Sequence, residues 1–303
     1  MPRICLIGTG GMLPLKNRWL TSCYIEHNGK AALIDCGEGT QIALTQFKCK
    51  ISRIEYIFFT HCHADHISGL PGFLLSMGNC SRTQPLDIFL PEGFGEIPHK
   101  LMCICDKLPF EVNIHELPMQ KGSLCADKID PLLKISYLPL RHSVRCLGYS
   151  FEFGRKPVFL PEKAKALGIP MQYWKVLHGG ENITLEDGRT VMSSELTGDE
   201  RKSVKLTYVT DTLPFEEISR FAENSDLFIC EGMYGVDDKK ESMNKKGHML
   251  MQDACGLAAR ANAKRLWLTH YSPAEKNPLE YEQTLKDIFP NVTVSKDGEN
   301  TEI

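Results

Sequence analysis

The 303-residue chain contains no apolar run long enough to cross a membrane. It opens Met-Pro-Arg and then Ile4-Cys5-Leu6-Ile7-Gly8, a hydrophobic stretch too short and too glycine-bounded for a secretory signal. There are twelve cysteines but no Cys-x-x-Cys pair. Cys5, Cys23 and Cys230 fall inside apolar runs, so reduced, buried thiols in a cytoplasmic protein are expected in place of a disulfide framework. A net charge of −3 excludes a chain that is basic all over, and any contact with a polyanion has to come from a local patch. Gly8-Thr9-Gly10-Gly11 has the spacing of neither common nucleotide fingerprint and reads as a turn where backbone passes close to something. The remaining 42% hydrophobic and 24% charged residues are those of an ordinary globular protein, long enough for one large α/β domain with an insertion or for two domains.

What the chain does have is Thr60-His61-Cys62-His63-Ala64-Asp65-His66, directly after the apolar run Tyr56-Ile57-Phe58-Phe59. The run reads as a buried strand, which places the polar cluster at its carboxyl end, where open α/β folds carry their chemistry. Three imidazoles and a carboxylate fill a core badly, because each needs its own buried partner. They hold a borderline divalent ion such as zinc well. Alternation along an extended segment aims His61 and His63 one way and turns Asp65 and His66 to a neighbouring point, which predicts two adjacent ions.

His-x-His-x-Asp-His after a strand resembles the signature of the metallo-β-lactamase superfamily. The resemblance implies an αββα sandwich with a dinuclear metal site at its edge.

Further strand-then-ligand phrases follow. Tyr24–His27 and Ala31–Asp35 form a hairpin across Asn28-Gly29, and Asp35 stands either as a helix cap or as the group that orients a ligand histidine. Residues 86–139 read as a second βα-rich half with an amphipathic stretch at 93–107. Lys134–Leu140 delivers His142, Leu206–Val209 delivers Asp211, and Arg265–Thr269 delivers His270. An aspartate at such a place can bridge two cations, one oxygen to each. The expected sets are His61, His63, His142 and Asp211 for one ion, and Asp65, His66, Asp211 and His270 for the other. Asp226–Cys230 ends in Glu231, and Lys245-Lys246-Gly247-His248 is expected to open a helix whose dipole favours a neutral imidazole. A Glu231 contact would restore the proton affinity of His248.

Residues 154–203 break the pattern and read as an inserted arm, with too little apolar content for a core of its own. Arg155, Lys156, Lys163, Lys165 and Lys175 outnumber Glu162 over 154–178, interleaved with Tyr173 and Trp174. That composition suits either a nucleic-acid contact or a solvated helix with an aromatic anchor.

Taken together, Leu6-Ile7-Gly8-Thr9-Gly10, Asp35–Gln41, Thr60–Gly72, Tyr208–Thr212, Thr269-His270-Tyr271-Ser272 and the arm phrases Ala166–Pro170 and Leu185–Arg189 resemble the ribonuclease Z family, short form, from end to end. The resemblance implies a single metallo-β-lactamase-fold domain over 1–303, with 154–203 as an inserted flexible arm that binds substrate. It implies a cytoplasmic homodimeric endoribonuclease that removes 3′ trailers from precursor tRNA, with two Zn2+ per subunit, or Mn2+ or another divalent metal. Asp65 is then the proton acceptor, and His248 the donor to the leaving oxygen with Glu231 behind it. The alternatives are a hydrolase of small phosphodiesters or cyclic nucleotides on the same site, and a non-catalytic RNA-binding module.

Overall fold

The computed structural model of the chain describes residues 1–235, 241 and 245–303. Its contacts divide it into two units, Met1–Glu152 with Lys205–Ile303, and Phe153–Val204.

Two seven-stranded sheets organise the larger unit. In the first, β1 (Arg3–Gly8), β2 (Ser22–His27), β3 (Lys30–Ile34), β4 (Ile54–Phe58), β5 (Leu86–Pro91) and β6 (Val112–Leu117) lie side by side in order, and β16 (Asn300–Glu302) pairs outside β1. The second runs β15 (Val292–Val294), β14 (Leu266–Thr269), β13 (Leu227–Glu231), β12 (Arg201–Val209), β9 (Leu147–Arg155), β8 (Leu133–Pro139), β7 (Gly122–Cys125). The pairs β3/β4, β4/β5, β12/β13 and β13/β14 are parallel, so their carboxyl ends share one edge within each sheet. The β2–β3 hairpin turns through Asn28 and Gly29 at φ 50° and 79°, both in the left-handed region that a two-residue turn of this hand requires.

Each sheet buries its outer face under helices and its inner face against the other sheet. α1 (Thr40–Gln46) and α3 (Leu70–Asn79) place Ala43, Leu44, Leu70, Phe73, Leu74 and Met77 on Ile7, Leu33, Ile57 and Ile88. α7 (Glu216–Phe221), α8 (Met251–Arg260) and α9 (Glu282–Lys286) place Ile218, Phe221, Ala254, Leu257, Ala258 and Leu285 on Val209, Phe228, Leu266 and Leu268. Between the sheets the Phe58 ring packs 5.3 Å from Tyr149 and 5.5 Å from Phe151, and the buried Tyr149 hydroxyl donates to the Phe59 carbonyl at 2.7 Å. This is the αββα layering expected from the histidine motif. Eight of the twelve cysteines, Cys5 and Cys230 among them, are buried as small apolar side chains in this core.

Two sequence expectations change here. The amphipathic stretch expected over 93–107 is helical only in α4 (Glu96–Met102), and the chain turns soon after at Asp106, φ 48°. The smaller unit, expected to lack a core, has one. α5 (Pro161–Ala166), α6 (Trp174–Gly179) and the ribbon β10 (Ile183–Thr184) with β11 (Thr190–Val191) surround buried Ala164, Ile169, Leu177, Leu185, Val191 and Leu196. Trp174 belongs to that cluster, its Nε1 donating to the Ile169 carbonyl at 2.9 Å and its ring 5.6 Å from Phe159, so it serves as the aromatic anchor. Among the described residues no helix is long and apolar enough to cross a membrane.

Candidate metal centre

Three residues that end strands at the shared edges leave them by the same backbone turn. Asp35 after β3, Asp211 after β12 and His270 after β14 have φ 58°, 56° and 61°. Aspartate and histidine tolerate the left-handed region better than most side chains, yet three such residues at one locus store strain that the surrounding packing must hold. The turn swings each side chain off the sheet and over its carboxyl edge. α2 (Ala64–Ile67) supplies Asp65 and His66, and the loops after β4 and β8 supply His61, His63 and His142.

These side chains meet. His61, His63, His142 and Asp211 offer ligand atoms all within 4.8 Å of one another, and so do Asp65, His66 and His270. Asp211 joins the two groups, for its Oδ2 lies 3.7 Å from His61 Nε2 and 3.8 Å from His142 Nε2, while its Oδ1 lies 3.4 Å from His66 Nε2 and 3.2 Å from His270 Nε2. Asp65 Oδ2 stands 3.4 Å from His270 Nε2 and is fixed from the other side by the Met12 backbone N–H at 2.6 Å.

The donors suit cations on geometric grounds. Ring nitrogens face one another at 3.1 Å, His66 Nε2 to His270 Nε2, and at 3.2 Å, His142 Nε2 to His63 Nδ1. His61 Nε2 is buried with no hydrogen-bond partner among the described residues. Such an arrangement is costly as protein alone and favourable around divalent metal. Protonation agrees. Burial pushes His61 far below the usual imidazole value, His142 down to about 4 and His63 downward, with Asp211 opposing, so all three present free lone pairs at neutral pH. Burial works the same way on His66, but Asp211 and Asp35 overcome it and lift that ring well above its usual value. Burial also opposes ionisation of Asp65 and Asp211, and the neighbouring histidines overcome it, His66 and His270 holding both carboxyls well below the usual range. A metal on His66 Nε2 would need that nitrogen unprotonated, with Nδ1–H kept on Asp35.

The candidate ligands have supports behind them. Asp35 accepts from His66 Nδ1 at 2.9 Å and from the Thr60 backbone N–H at 2.8 Å, which turns His66 Nε2 inward. Of the two sequence readings of Asp35, orientation is the one seen, since α1 has no side-chain cap. His142 Nδ1 donates to the Gly247 carbonyl at 3.1 Å and leaves its Nε2 to the cluster. The close approach expected at Gly8–Gly11 is to backbone at Gly8, beside Leu20, and to the His270 ring at Gly11, where a Cβ would come within 2.7 Å of it. Thr60 and the Met12 N–H were not legible as site groups. One is an ordinary hydroxyl and the other a backbone donor, and only the neighbouring glycines hinted at the second.

His248 lies beside the cluster, and Glu231 Oε2 accepts from its Nδ1 at 2.9 Å. Glu231 Oε1 accepts the Thr212 N–H at 2.5 Å, so both carboxylate oxygens are engaged. Burial would lower the His248 imidazole, but Glu231 overcomes it and the ring is pushed up to about 9. The helix expected to begin at His248 starts at Met251, with Leu250 N–H donating to Asp253, so Glu231 rather than a helix dipole sets its charge. With Nδ1 committed, Nε2 is the atom left to face a substrate.

Comparison with known proteins decides the family. Ribonuclease Z of Lachnoclostridium phytofermentans is 44% identical over 294 residues, 97% of this chain and 95% of that protein. The chain belongs to the ribonuclease Z family. A ribonuclease Z is a metal-dependent, phosphodiester-hydrolysing endoribonuclease, and the histidine and aspartate groups gathered here have the composition and spacing to hold divalent metal. In fold it is similar to human tRNase Z, short form, with a TM-score of 0.70 at 23% identity over 99% of both chains. It is also similar to the metallo-β-lactamase fold protein YhfI of Bacillus subtilis, with a TM-score of 0.69 at 19% identity over 100% of this chain and 99% of that one. The family described as anti-Pycsar protein Apyc1 matches residues 2–97, which include the His61–His66 cluster and stop short of His142, Asp211 and His270.

Proposed function

We propose that this ribonuclease Z removes 3′ trailers from precursor tRNA with two zinc ions per subunit, one held by His61, His63, His142 and Asp211 and the other by Asp65, His66, His270 and Asp211. The observation that carries the reading is the division of the Asp211 carboxylate, one oxygen toward each histidine group. Bound divalent cations supply Lewis acidity, which makes water nucleophilic near neutral pH and polarises a phosphoryl oxygen.

The chain's own groups do the rest. Asp65 Oδ2, steadied by the Met12 N–H, accepts a proton from the attacking water and keeps it in line with the scissile P–O bond. The bond to the ribose 3′-oxygen breaks, and His248 Nε2 hands that oxygen its proton, leaving a 3′-hydroxyl on the tRNA and a 5′-phosphate on the trailer. Glu231 keeps His248 charged and correctly turned until then. Residues 1–303 act as one metallo-β-lactamase-fold domain, with 154–203 as a substrate-binding exosite whose exposed Lys156, Lys163, Lys165 and Lys175 meet tRNA phosphates. The working form is a cytoplasmic homodimer. Near-full-length likeness to ribonuclease Z outweighs the small-phosphodiester alternative, which needs no exosite.

Incubating the purified, metal-loaded protein with a 3′-extended precursor tRNA and mapping the product tests this. A single cut after the discriminator nucleotide is expected, and hydrolysis of cyclic nucleotides with the tRNA left whole would overturn it. His248→Ala should keep its bound metal and lose at least about 100-fold in turnover on that substrate, the range for a lost general acid. Metal lost along with activity would make His248 a ligand.

A further inference from the structure

Glu275 lies outside every group assigned so far, yet it is a carboxylate only 6% exposed, five residues past His270. A buried carboxylate with no cation on its oxygens among the described residues needs a structural reason. Here Oε2 accepts the Gly235 backbone N–H at 3.1 Å and Oε1 accepts the Tyr281 hydroxyl at 3.4 Å. Gly235 is held on its other side too, since Gln252 Nε2 donates to its carbonyl at 2.8 Å. Nothing larger than glycine fits there, for a Cβ would meet the Tyr281 ring at 2.3 Å.

Gly235 lies in the segment that runs on from Glu231. Met233 N–H donates to the Met249 carbonyl at 3.2 Å, and Met251 N–H donates to the Tyr234 carbonyl at 3.0 Å. Residues 233–235 thus form the rail along which the chain is laid immediately after His248. Ser272 holds the same rail from the His270 side, its N–H donating to the Met233 carbonyl at 3.1 Å and its hydroxyl to Tyr234 Oη at 2.9 Å. Arg18 closes the frame, with Nη1 on the Ser272 carbonyl at 3.2 Å and Nη2 on the Glu275 carbonyl at 2.9 Å. Its guanidinium faces inward onto backbone, 5.5 Å from the Tyr271 ring centre, so it locks the 272–275 turn to the loop that carries Met12.

We propose that Glu275 is a positioning residue for His248, acting through Gly235 and the 233–235 rail to set the distance between the His248 ring and the leaving oxygen. The inference rests on His248 being the proton donor. It explains a carboxylate that belongs to none of the candidate metal groups among the described residues, and it separates loss of proton donation from loss of the metal site.

Two substrates make the test. A precursor tRNA leaves as a ribose 3′-oxygen that needs a proton, whereas bis(p-nitrophenyl) phosphate leaves as a phenolate that does not. Glu275→Ala in the metal-loaded protein is expected to lower kcat on precursor tRNA about 10- to 100-fold, with KM, bound zinc and hydrolysis of the aryl diester within about twofold of the wild type. Glu275→Gln, which keeps an acceptor oxygen for the Gly235 N–H, should recover most of the loss. Equal falls on both substrates, lost zinc, or an unchanged kcat would overturn the proposal. His248→Ala is the reference. If it too spares the aryl diester while Glu275→Ala spares both substrates, only the Glu275 role fails. If His248→Ala lowers both substrates alike, the donor assignment itself fails.

Discussion

Burial favours the neutral imidazole, as at His61 and His142, unless a carboxylate opposes it, and His248 keeps its proton because Glu231 Oε2 stands 2.9 Å from Nδ1. The sign of the pH effect follows. A folded-state value of about 9 against 6.5 for the free side chain means that the pair contributes stability fully below pH 6.5 and loses it as pH rises through about 9. In metal-free protein the His248 ring signals in a proton NMR titration should move near pH 9. In Glu231→Gln they should move below 6.5, because burial then outweighs the weaker pull of Asp211, and the associated loss of melting temperature on the alkaline side should disappear. A His248 titration still near 9 in that variant would mean that Asp211, 3.9 Å away, holds the proton instead. Asp35 makes the complementary point at the other side of the cluster. It is fully buried with its oxygens on Thr60 and His66, and its carboxyl is raised by burial against the pull of His66, so what it does is fix the direction of the His66 ring.

At the scale of elements, the convergence of His61, His142, Asp211 and His270 was legible because each comes soon after a short apolar run, and such a run bounded by turn residues reads as a buried strand whose end reaches a sheet edge. Asn28-Gly29 was legible for a different reason, since few other pairs accept two successive positive φ values. The smaller core was not. Ala164, Ile169, Leu177, Leu185, Val191 and Leu196 are spread over 33 residues at no constant interval, so neither helical nor strand periodicity marks them, and only their convergence makes a core. Nor did the sequence show that the helix starts three residues past His248, because a cap is fixed by which backbone donor finds Asp253. A core this small should be sensitive to one truncation. Leu177→Ala removes a fully buried side chain and costs about 2 to 5 kcal/mol, enough to open a unit of some fifty residues locally. Limited proteolysis should then cut within 153–204 at least tenfold faster while aryl diester hydrolysis is unchanged. A parallel loss of that hydrolysis would show that the two units do not open independently.

At the scale of the whole molecule, the charge balance constrains how RNA is held. A chain with net charge −3 gains nothing from its overall field when it meets a polyanion, so the attraction must be local. Lys156, Lys163 and Lys175 are exposed, and none of the three makes an ion pair among the described residues, whereas Lys165 is partly neutralised by Glu162 at 2.8 Å. Phosphate contacts of this kind release counterions, so affinity falls with salt by a slope of about 0.9 per contact. Converting Lys156, Lys163 and Lys175 to glutamine should therefore raise KM for precursor tRNA at least tenfold at 0.15 M salt and flatten its salt dependence by roughly two to three logarithmic slope units. The aryl diester carries too little anion to notice, and its kcat/KM should stay put. If KM for the precursor is unchanged across the salt series, the exosite lies elsewhere on the chain. If the aryl diester slows as well, the lysines act on the fold rather than on the RNA.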